Sequence, residues 1–401
     1  MNKKSILLTI LSCNLLFSFF TASHGAKFHA QFKKMKKKPF RSYHSFVTKP
    51  ECFLVAIQSA LDYMKEYTYK GRPKRSRRKI LHGGKVFDKR DNVSLKRVRD
   101  TLKFLKATIE KDRMQIRKGL RTGYRINDQK FLHKHFDIID WQSSSKDAKK
   151  YKDKVEDGAE RLTKYLVYEL PGKYRKKGKY KYPLYAMPED EEGMSEKEVN
   201  KNKHKLIRFK YSKQEIINEG ALENNPLVEP LVWLTKEGVR QASIQGSIIA
   251  IMPDGKRRAF NIIRSNEMVY DRSFKNEKKQ RQYWFFKEIK NGIRDGRCKG
   301  KTCAVCSHMQ VPHKVAYVPE VTVAGDLKNL GLGKIVALRY KNKRSKKDEV
   351  RLCMLSDTGG AFKNNLYQLD LFSGFFNKSR TFWNYVHKYP EQVDAYFLLK
   401  K

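Results

Sequence analysis

Residues 355–363 read Leu355-Ser356-Asp357-Thr358-Gly359-Gly360-Ala361-Phe362-Lys363, and Leu369-Asp370-Leu371-Phe372-Ser373-Gly374 follows closely. Paired glycines permit a tight turn, and the apolar residues on either side have the texture of strands. Asp357 and Asp370 stand 13 positions apart, so the turn can bring both carboxylates toward one groove. The same residues also suit two aspartates that merely cap turns.

Outward from this segment, the chain after about residue 160 consists of short runs of Val, Ile, Tyr and Phe broken by Gly, Pro, Asn and Asp. Ser243–Met252, the Pro253-Asp254-Gly255 turn and Arg258–Ile263 predict a hairpin. Tyr283–Phe286, Val315–Val323 and Lys334–Tyr340 predict further strands. The first part reads differently. Leu54, Ile57, Leu61 and Met64 recur at helical spacing within Glu51–Tyr67, and Leu95, Val98, Leu102, Leu105 and Ile109 form a second stripe with Ser94 as N-cap. The fold class is therefore mainly β within an α+β chain, behind a helical and very basic region at 26–160.

Lys and Arg number 87 against 42 Asp and Glu in 401 residues, a net charge of +45. Such a field concentrates polyanions around any fold. With 40% hydrophobic residues the chain can bury a large core, which excludes wholesale disorder and a small disulfide scaffold. Lys3-Lys4, an apolar run from Ile6 to Phe20 and Ser23-His24-Gly25 read as a signal peptide, 1–25, cleaved before Ala26. Its loss leaves +43 and an exported protein, periplasmic, outer-membrane associated or secreted, that meets wall polymers and anionic surfaces. Cys13 follows a poor lipobox. Cys298, Cys303 and Cys306, with His308 and His313, fit a zinc site or a loop stapled by a disulfide; export favours the disulfide. No dinucleotide fingerprint, P-loop or His-Glu-x-x-His is present.

The Asp-Thr-Gly-Gly-Ala-Phe-Lys run and the Asp370 segment closely resemble the three-aspartate (3D) domain of the MltA family of membrane-bound lytic transglycosylases. Further matches follow in order. Leu162-Thr163-Lys164-Tyr165, Tyr182-Pro183-Leu184-Tyr185, Glu219-Gly220-Ala221-Leu222, Ile244-Gln245-Gly246-Ser247 and Tyr283-Trp284-Phe285-Phe286 are each similar to a family block, spanning roughly 160 to 375. The resemblance implies a discontinuous double-psi β-barrel at 161–195 and 287–401, with a smaller β domain inserted at 196–286. It implies cleavage of the MurNAc–GlcNAc β-1,4 bond with a 1,6-anhydro-MurNAc product, and neither metal nor cofactor. Asp370 matches the catalytic aspartate. Asp357 would orient it, while Gly359, Gly360, Lys363, Gln245, Ser247 and Tyr165 would meet the glycan.

One carboxyl suffices for this chemistry, because the sugar's own C6 hydroxyl replaces water as nucleophile. Asp370 must then hold a proton near neutral pH, which an apolar setting and the neighbouring Asp357 would promote. Several glycan-facing motifs depart from the family pattern: Lys164, Leu166-Val167 and Ile248 replace expected residues, and Asn364 stands where a glycine is expected. A catalytically silent relative that binds wall glycan is the alternative reading. A secreted nucleic-acid binder, suggested by the Lys- and Tyr-rich 173–182 segment, ranks below both. The expected partner is a peptidoglycan strand, bound by a monomer, with no nucleic acid.

Overall fold

A computed structural model of the chain describes residues 30–35, 38–69, 72–73, 78–84, 86–87, 89–150, 155–269, 279–298 and 301–401. The signal peptide expected at 1–25 and the side chains of Cys298, Cys303 and Cys306 lie outside the described residues.

Alternating and near-continuous apolar runs assemble into one twelve-stranded sheet, numbered here in chain order. Its strands are β1 (Gln31–Lys34), β2 (Ser45–Phe46), β3 (Phe136–Gln142), β4 (Glu160–Pro171), β5 (Ser247–Ile251) and β6 (Arg257–Ser265). They continue with β7 (Trp284–Ile289), β8 (Thr322–Ala324), β9 (Lys334–Lys341), β10 (Asp348–Asp357), β11 (Gln368–Phe376) and β12 (Gln392–Lys400). The order is β1-β3-β12-β9-β10-β8-β11-β4-β5-β6-β7, with β2 beside β10. Strand β4 also pairs back onto β12 through Arg161 with Gln392 and Glu160 with Val393. That extra pairing closes β12, β9, β10, β8, β11 and β4 into a ring of six strands.

Strand β4 is long enough to serve two partners. Its first half runs parallel to β11, from Arg161 opposite Gln368 to Tyr165 opposite Phe372, and its last residues, Tyr168–Pro171, run parallel to β5. The β5-β6-β7 meander is thereby hung on the ring. Strands β9, β10 and β11 are buried on nearly every residue, which is why they read as unbroken apolar runs instead of alternating ones.

Helices cover the ring. Pro50 opens α1 (Pro50–Glu66), and Ser94 caps α2 (Leu95–Arg117) by accepting from the Arg97 amide. All five residues of the stripe expected in α2 are buried. In α1 the buried face is Cys52, Phe53, Ala56, Ile57, Ala60, Tyr63 and Met64. Leu54 and Leu61 flank it only half-buried, because the small alanines seat the helix on the neighbouring side. Further helices are α3 (Gln129–His135), α4 (Lys236–Gln245) and α5 (Ser379–Val386). The basic N-terminal region is thus not only helical, since β1, β2 and β3 belong to the sheet.

Two expected strands are corrected. Ser243–Gln245 end helix α4, capped at Gly246 with φ +72°, so the strand predicted from Ser243 starts at Ser247. Of Val315–Val323 only Thr322 and Val323 are extended in a strand; Pro319 and Glu320, at φ +61°, interrupt the run. Before that break, Tyr317 makes a single bridge with Met309.

Glu320 fixes this irregular segment. Only 2% exposed, it accepts hydrogen bonds from Tyr385 at 2.6 Å and Tyr389 at 2.5 Å, and pairs with Lys388 at 2.8 Å, Lys49 at 3.1 Å and Arg351 at 3.4 Å. Burial alone would raise its carboxyl, but the charges of Arg351, Lys388 and Lys49 outweigh burial and hold it well below the usual range. Its amide donates to the Phe372 carbonyl of β11 at 2.7 Å. Glu320→Ala would leave Arg351 buried without its carboxylate, and we expect a loss of about 3–5 kcal/mol in urea denaturation, with Glu320→Gln losing less. Equal midpoints for Glu320→Ala and wild type would remove Glu320 as the anchor of this segment.

Candidate active site

The short strand β8 places the two aspartates. Ala324 pairs with Asp357 of β10 in the parallel direction and with Asp370 of β11 in the antiparallel direction, so both acids flank one small residue. Gly325 follows, donating to the Asp357 carbonyl at 3.0 Å. A Cβ there would lie 2.9 Å from a Leu355 methyl and 3.3 Å from a Leu369 methyl, so a larger residue would have to push these two side chains aside.

Asp370 is 7% exposed and sits between Leu369 and Leu371, both fully buried, with Phe372 next to them. Burial pushes its carboxyl up to about 7, and the Asp357 charge adds to the rise. The Thr163 hydroxyl, opposite it on β4, and the charges of Lys164 and Arg161 pull the other way. Asp370 Oδ1 is buried without a hydrogen-bond partner. Thr163 Oγ1 in turn lies 3.1 Å from the Leu369 carbonyl and accepts from Gln368 Nε2 at 2.9 Å, which fixes the wall on that side.

Asp357 is held differently. Tyr165 Oη donates to Oδ2 at 2.9 Å and Tyr317 Oη to Oδ1 at 3.3 Å, while Lys314 Nζ lies 3.1 Å from the Tyr317 hydroxyl. Burial, then the Asp357 charge, raises both phenols, Tyr317 to about 12, so both keep their protons and remain donors. Two carboxylates therefore occupy unlike settings. One is cradled by donors at the ring's edge, the other is dry and has an oxygen to spare.

Of the residues singled out in the sequence, Asp370, Asp357 and Tyr165 come together. Gly359, Gly360 and Lys363 follow Asp357 in the β10–β11 connection, where Gly360–Phe362 form a 3-10 turn over the buried Phe362. The expected glycine turn is corrected in detail. Gly359 is extended, at φ −148°, and the left-handed position belongs to Asn364 at φ +58°. A Cβ on Gly359 would meet nothing nearer than Phe362 at 3.9 Å. Gln245 ends α4 and Ser247 begins β5, where Asn261 Nδ2 donates to its hydroxyl at 2.6 Å. Since β5 joins β4 only from Tyr168 onward, Ser247 lies level with Val167, four residues or about 13 Å along β4 from Thr163.

Tyr317, Thr163 and Asp326 escaped the sequence reading. Asp326 directly follows Gly325, is 2% exposed, and accepts from Asn329 Nδ2 at 2.6 Å. Burial raises its carboxyl against these hydrogen bonds. The Gly325-Asp326 pair after an apolar run was the available signal for Asp326, and Thr163 stood in the Leu162-Thr163-Lys164-Tyr165 block without being singled out; Tyr317 had no signal, since the fold alone brings it here. Among the described residues, no group of three His, Cys, Asp or Glu side chains is arranged to hold a metal.

The raised Asp370 carboxyl gives a stability test. Its folded value lies above the unfolded one, so its contribution is intact below about pH 4 and is lost as pH rises toward 7. Wild type should lose about 1.4 kcal/mol per pH unit across that window relative to Asp370→Asn, reaching on the order of 4 kcal/mol, and the gap should stay constant above it. A stability difference between the two that does not change from pH 4 to pH 8 would refute the raised Asp370 carboxyl.

Residues 161–274 match the family model described as the MltA specific insert domain. No curated protein matches the sequence. A structure of a membrane-bound lytic murein transglycosylase from Agrobacterium tumefaciens superposes with a TM-score of 0.55 at 14% identity, covering 92% of this chain and 97% of that one. E. coli MltA with bound chitohexaose superposes with a TM-score of 0.51 at 14% identity, covering 92% and 94%. Residues 161–274 thus match the insert domain specific to MltA, within a chain whose fold is similar to that of the MltA lytic transglycosylase structures.

Proposed function

We propose that this protein is an exported lytic transglycosylase that cleaves the MurNAc–GlcNAc β-1,4 bond of peptidoglycan, with Asp370 as its acid and base. The observation that carries the reading is the Asp370 carboxyl, pushed up to about 7 in a dry setting with Oδ1 unpartnered. Glycan binding to the MltA relative, solved with chitohexaose, supports the substrate class. We read the closed six-stranded ring as the double-psi barrel that the sequence resemblance implies, with the β5-β6-β7 side forming the far wall of the glycan groove.

Protonated Asp370 donates to the glycosidic oxygen as the bond to C1 breaks and oxocarbenium character grows on the MurNAc ring. The C6 hydroxyl of the same sugar then attacks C1. Its proton passes to the Asp370 carboxylate, which restores the acid and leaves a 1,6-anhydro-MurNAc end. Asp357, fixed by Tyr165 and Tyr317, acts through charge: it favours the protonated form of Asp370 and the positive character at C1. Open space at Gly359 leaves room for sugar to approach the backbone, and exposed Lys363 meets it from the same connection. The described residues contain no helix long and apolar enough to cross a membrane.

Purified protein incubated with isolated peptidoglycan should release muropeptides with 1,6-anhydro-MurNAc ends, read by mass spectrometry. Asp370→Asn should lower the rate by about 10²–10⁴-fold. Products with reducing ends would mean hydrolysis, and retention on the wall without product would mean a silent glycan-binding relative. A second variant separates charge from packing. In wild type the rate should fall as pH rises through about 7; in Asp357→Asn that fall should move to lower pH, because the charge that raises Asp370 is gone. An unmoved profile would deny Asp357 its electrostatic role.

A further inference from the structure

We propose that the cleft between residues 38–43 and helix α3 binds a phosphate group, presented either by a lipid headgroup or by a soluble polyphosphate. The cleft encloses about 520 Å³, and its walls carry Lys38, Arg41, Lys130 and Lys134 with His133 and Tyr43. No carboxylate lines it. None of the four cations makes an ion pair among the described residues, and the nearby Asp128 carboxylate caps α3 by accepting from the Lys130 amide at 2.8 Å.

The cleft is built, not incidental to an exposed loop. Arg339 of β9 donates to the Pro39 carbonyl at 2.9 Å, and Phe40, 1% exposed, stacks on the His133 ring at 5.5 Å and 9°. Residues 39 and 40 are therefore pinned to the sheet and to α3, between the points where Lys38 and Arg41 project. Lys130, His133 and Lys134 stand at i, i+3 and i+4 and share one face of α3. His133 Nε2 is buried with no hydrogen-bond partner. Burial, then the charges of Lys38, Arg41 and Lys401, keeps its imidazole below the usual range, so the site concentrates positive field without an anion to balance it.

Phosphate fits this donor set better than carboxylate. Its three or four acceptor oxygens point in divergent directions, matching an Arg fork, several ammonium groups and the Tyr43 hydroxyl, whereas a carboxylate offers two oxygens in one plane. Tyr43 is 70% exposed at the rim of the cleft, its ring packed against His44. Nothing in this site involves Asp370 or Asp357, so it stands or falls apart from the proposed reaction.

The test compares wild type with the triple variant Arg41→Glu, Lys130→Glu, Lys134→Glu. A control triple, Lys197→Glu, Lys201→Glu, Lys205→Glu, makes the same charge change at exposed lysines of the inserted region. Probes are tripolyphosphate, followed by calorimetry and by the His133 ring signals in NMR, and vesicles of phosphatidylcholine with and without phosphatidylglycerol, followed by sedimentation. Wild type should bind tripolyphosphate and shift the His133 signals, and the site variant should lose at least about tenfold in affinity while the control stays near wild type. Co-sedimentation only with phosphatidylglycerol, competed by tripolyphosphate, would identify the headgroup as a source; tripolyphosphate binding alone would identify a soluble one. Equal losses in both triples would show a diffuse field and overturn the site, as would failure of wild type to bind either probe.

Discussion

A carboxylate that cannot leave the protein interior organises this molecule. Glu320 gathers Lys49 from the start of α1, Arg351 from β10, and Tyr385, Lys388 and Tyr389 from the C-terminal helix and its exit. Segments about 340 positions apart in the chain meet on one side chain. The arrangement has little to do with surface ion pairing, which contributes little in water. Its force comes from the interior, where each group taken away leaves others uncompensated. Because Glu320 sits at a positive φ between Tyr317 and β8, the same anchor sets the course of the segment that supplies one tyrosine to Asp357 and the central strand between the two aspartates.

That central strand explains how a ring of ordinary β pairing makes an acid. Parallel and antiparallel neighbours meet on Ala324, and the side chains opposite it come from strands buried on both faces. Asp370 is dry because its strand is. Asp357 is wetter because β10 ends there, and it is met by hydroxyls instead of leucines. Position along the strand thus places two chemically identical residues in unlike settings, one buried among leucines and one held by two phenols.

Much of this is legible in the sequence alone, and what is not has physical causes. The α2 stripe from Leu95 to Ile109 was readable because helical periodicity is local. The strands carrying Asp357 and Asp370 were readable because their apolar runs are local too, whereas the connection between them takes its left-handed position at Asn364 and not at the paired glycines. Ser243–Gln245 misled because Ile and Ser suit a strand, yet Thr235 and Gly246 cap a helix around them. Glu320 was invisible: one glutamate in a basic chain has no signature until strands and helices far apart converge on it. Thr163 and Tyr317 reach the aspartates only through pairing register, which single-sequence patterns do not encode.

The charge of the whole chain sharpens what the site has to do. A protein with a formal charge of +45 surrounds every carboxyl with a field that favours its ionised form, and Lys164 and Arg161 add to it close at hand. An acid that keeps its proton near neutrality under that field cannot owe it to the global electrostatics. Salt screens the distant charges within about 10 Å at moderate ionic strength, which weakens the opposition without creating the effect. What remains is burial, reinforced by the Asp357 charge. The dryness of the ring around Asp370 is therefore the quantity that matters, and Leu355 and Leu369, whose methyls pack tightly over Gly325, help maintain it. Residues with no polar atom in their side chains thereby determine whether the carboxyl is an acid at all.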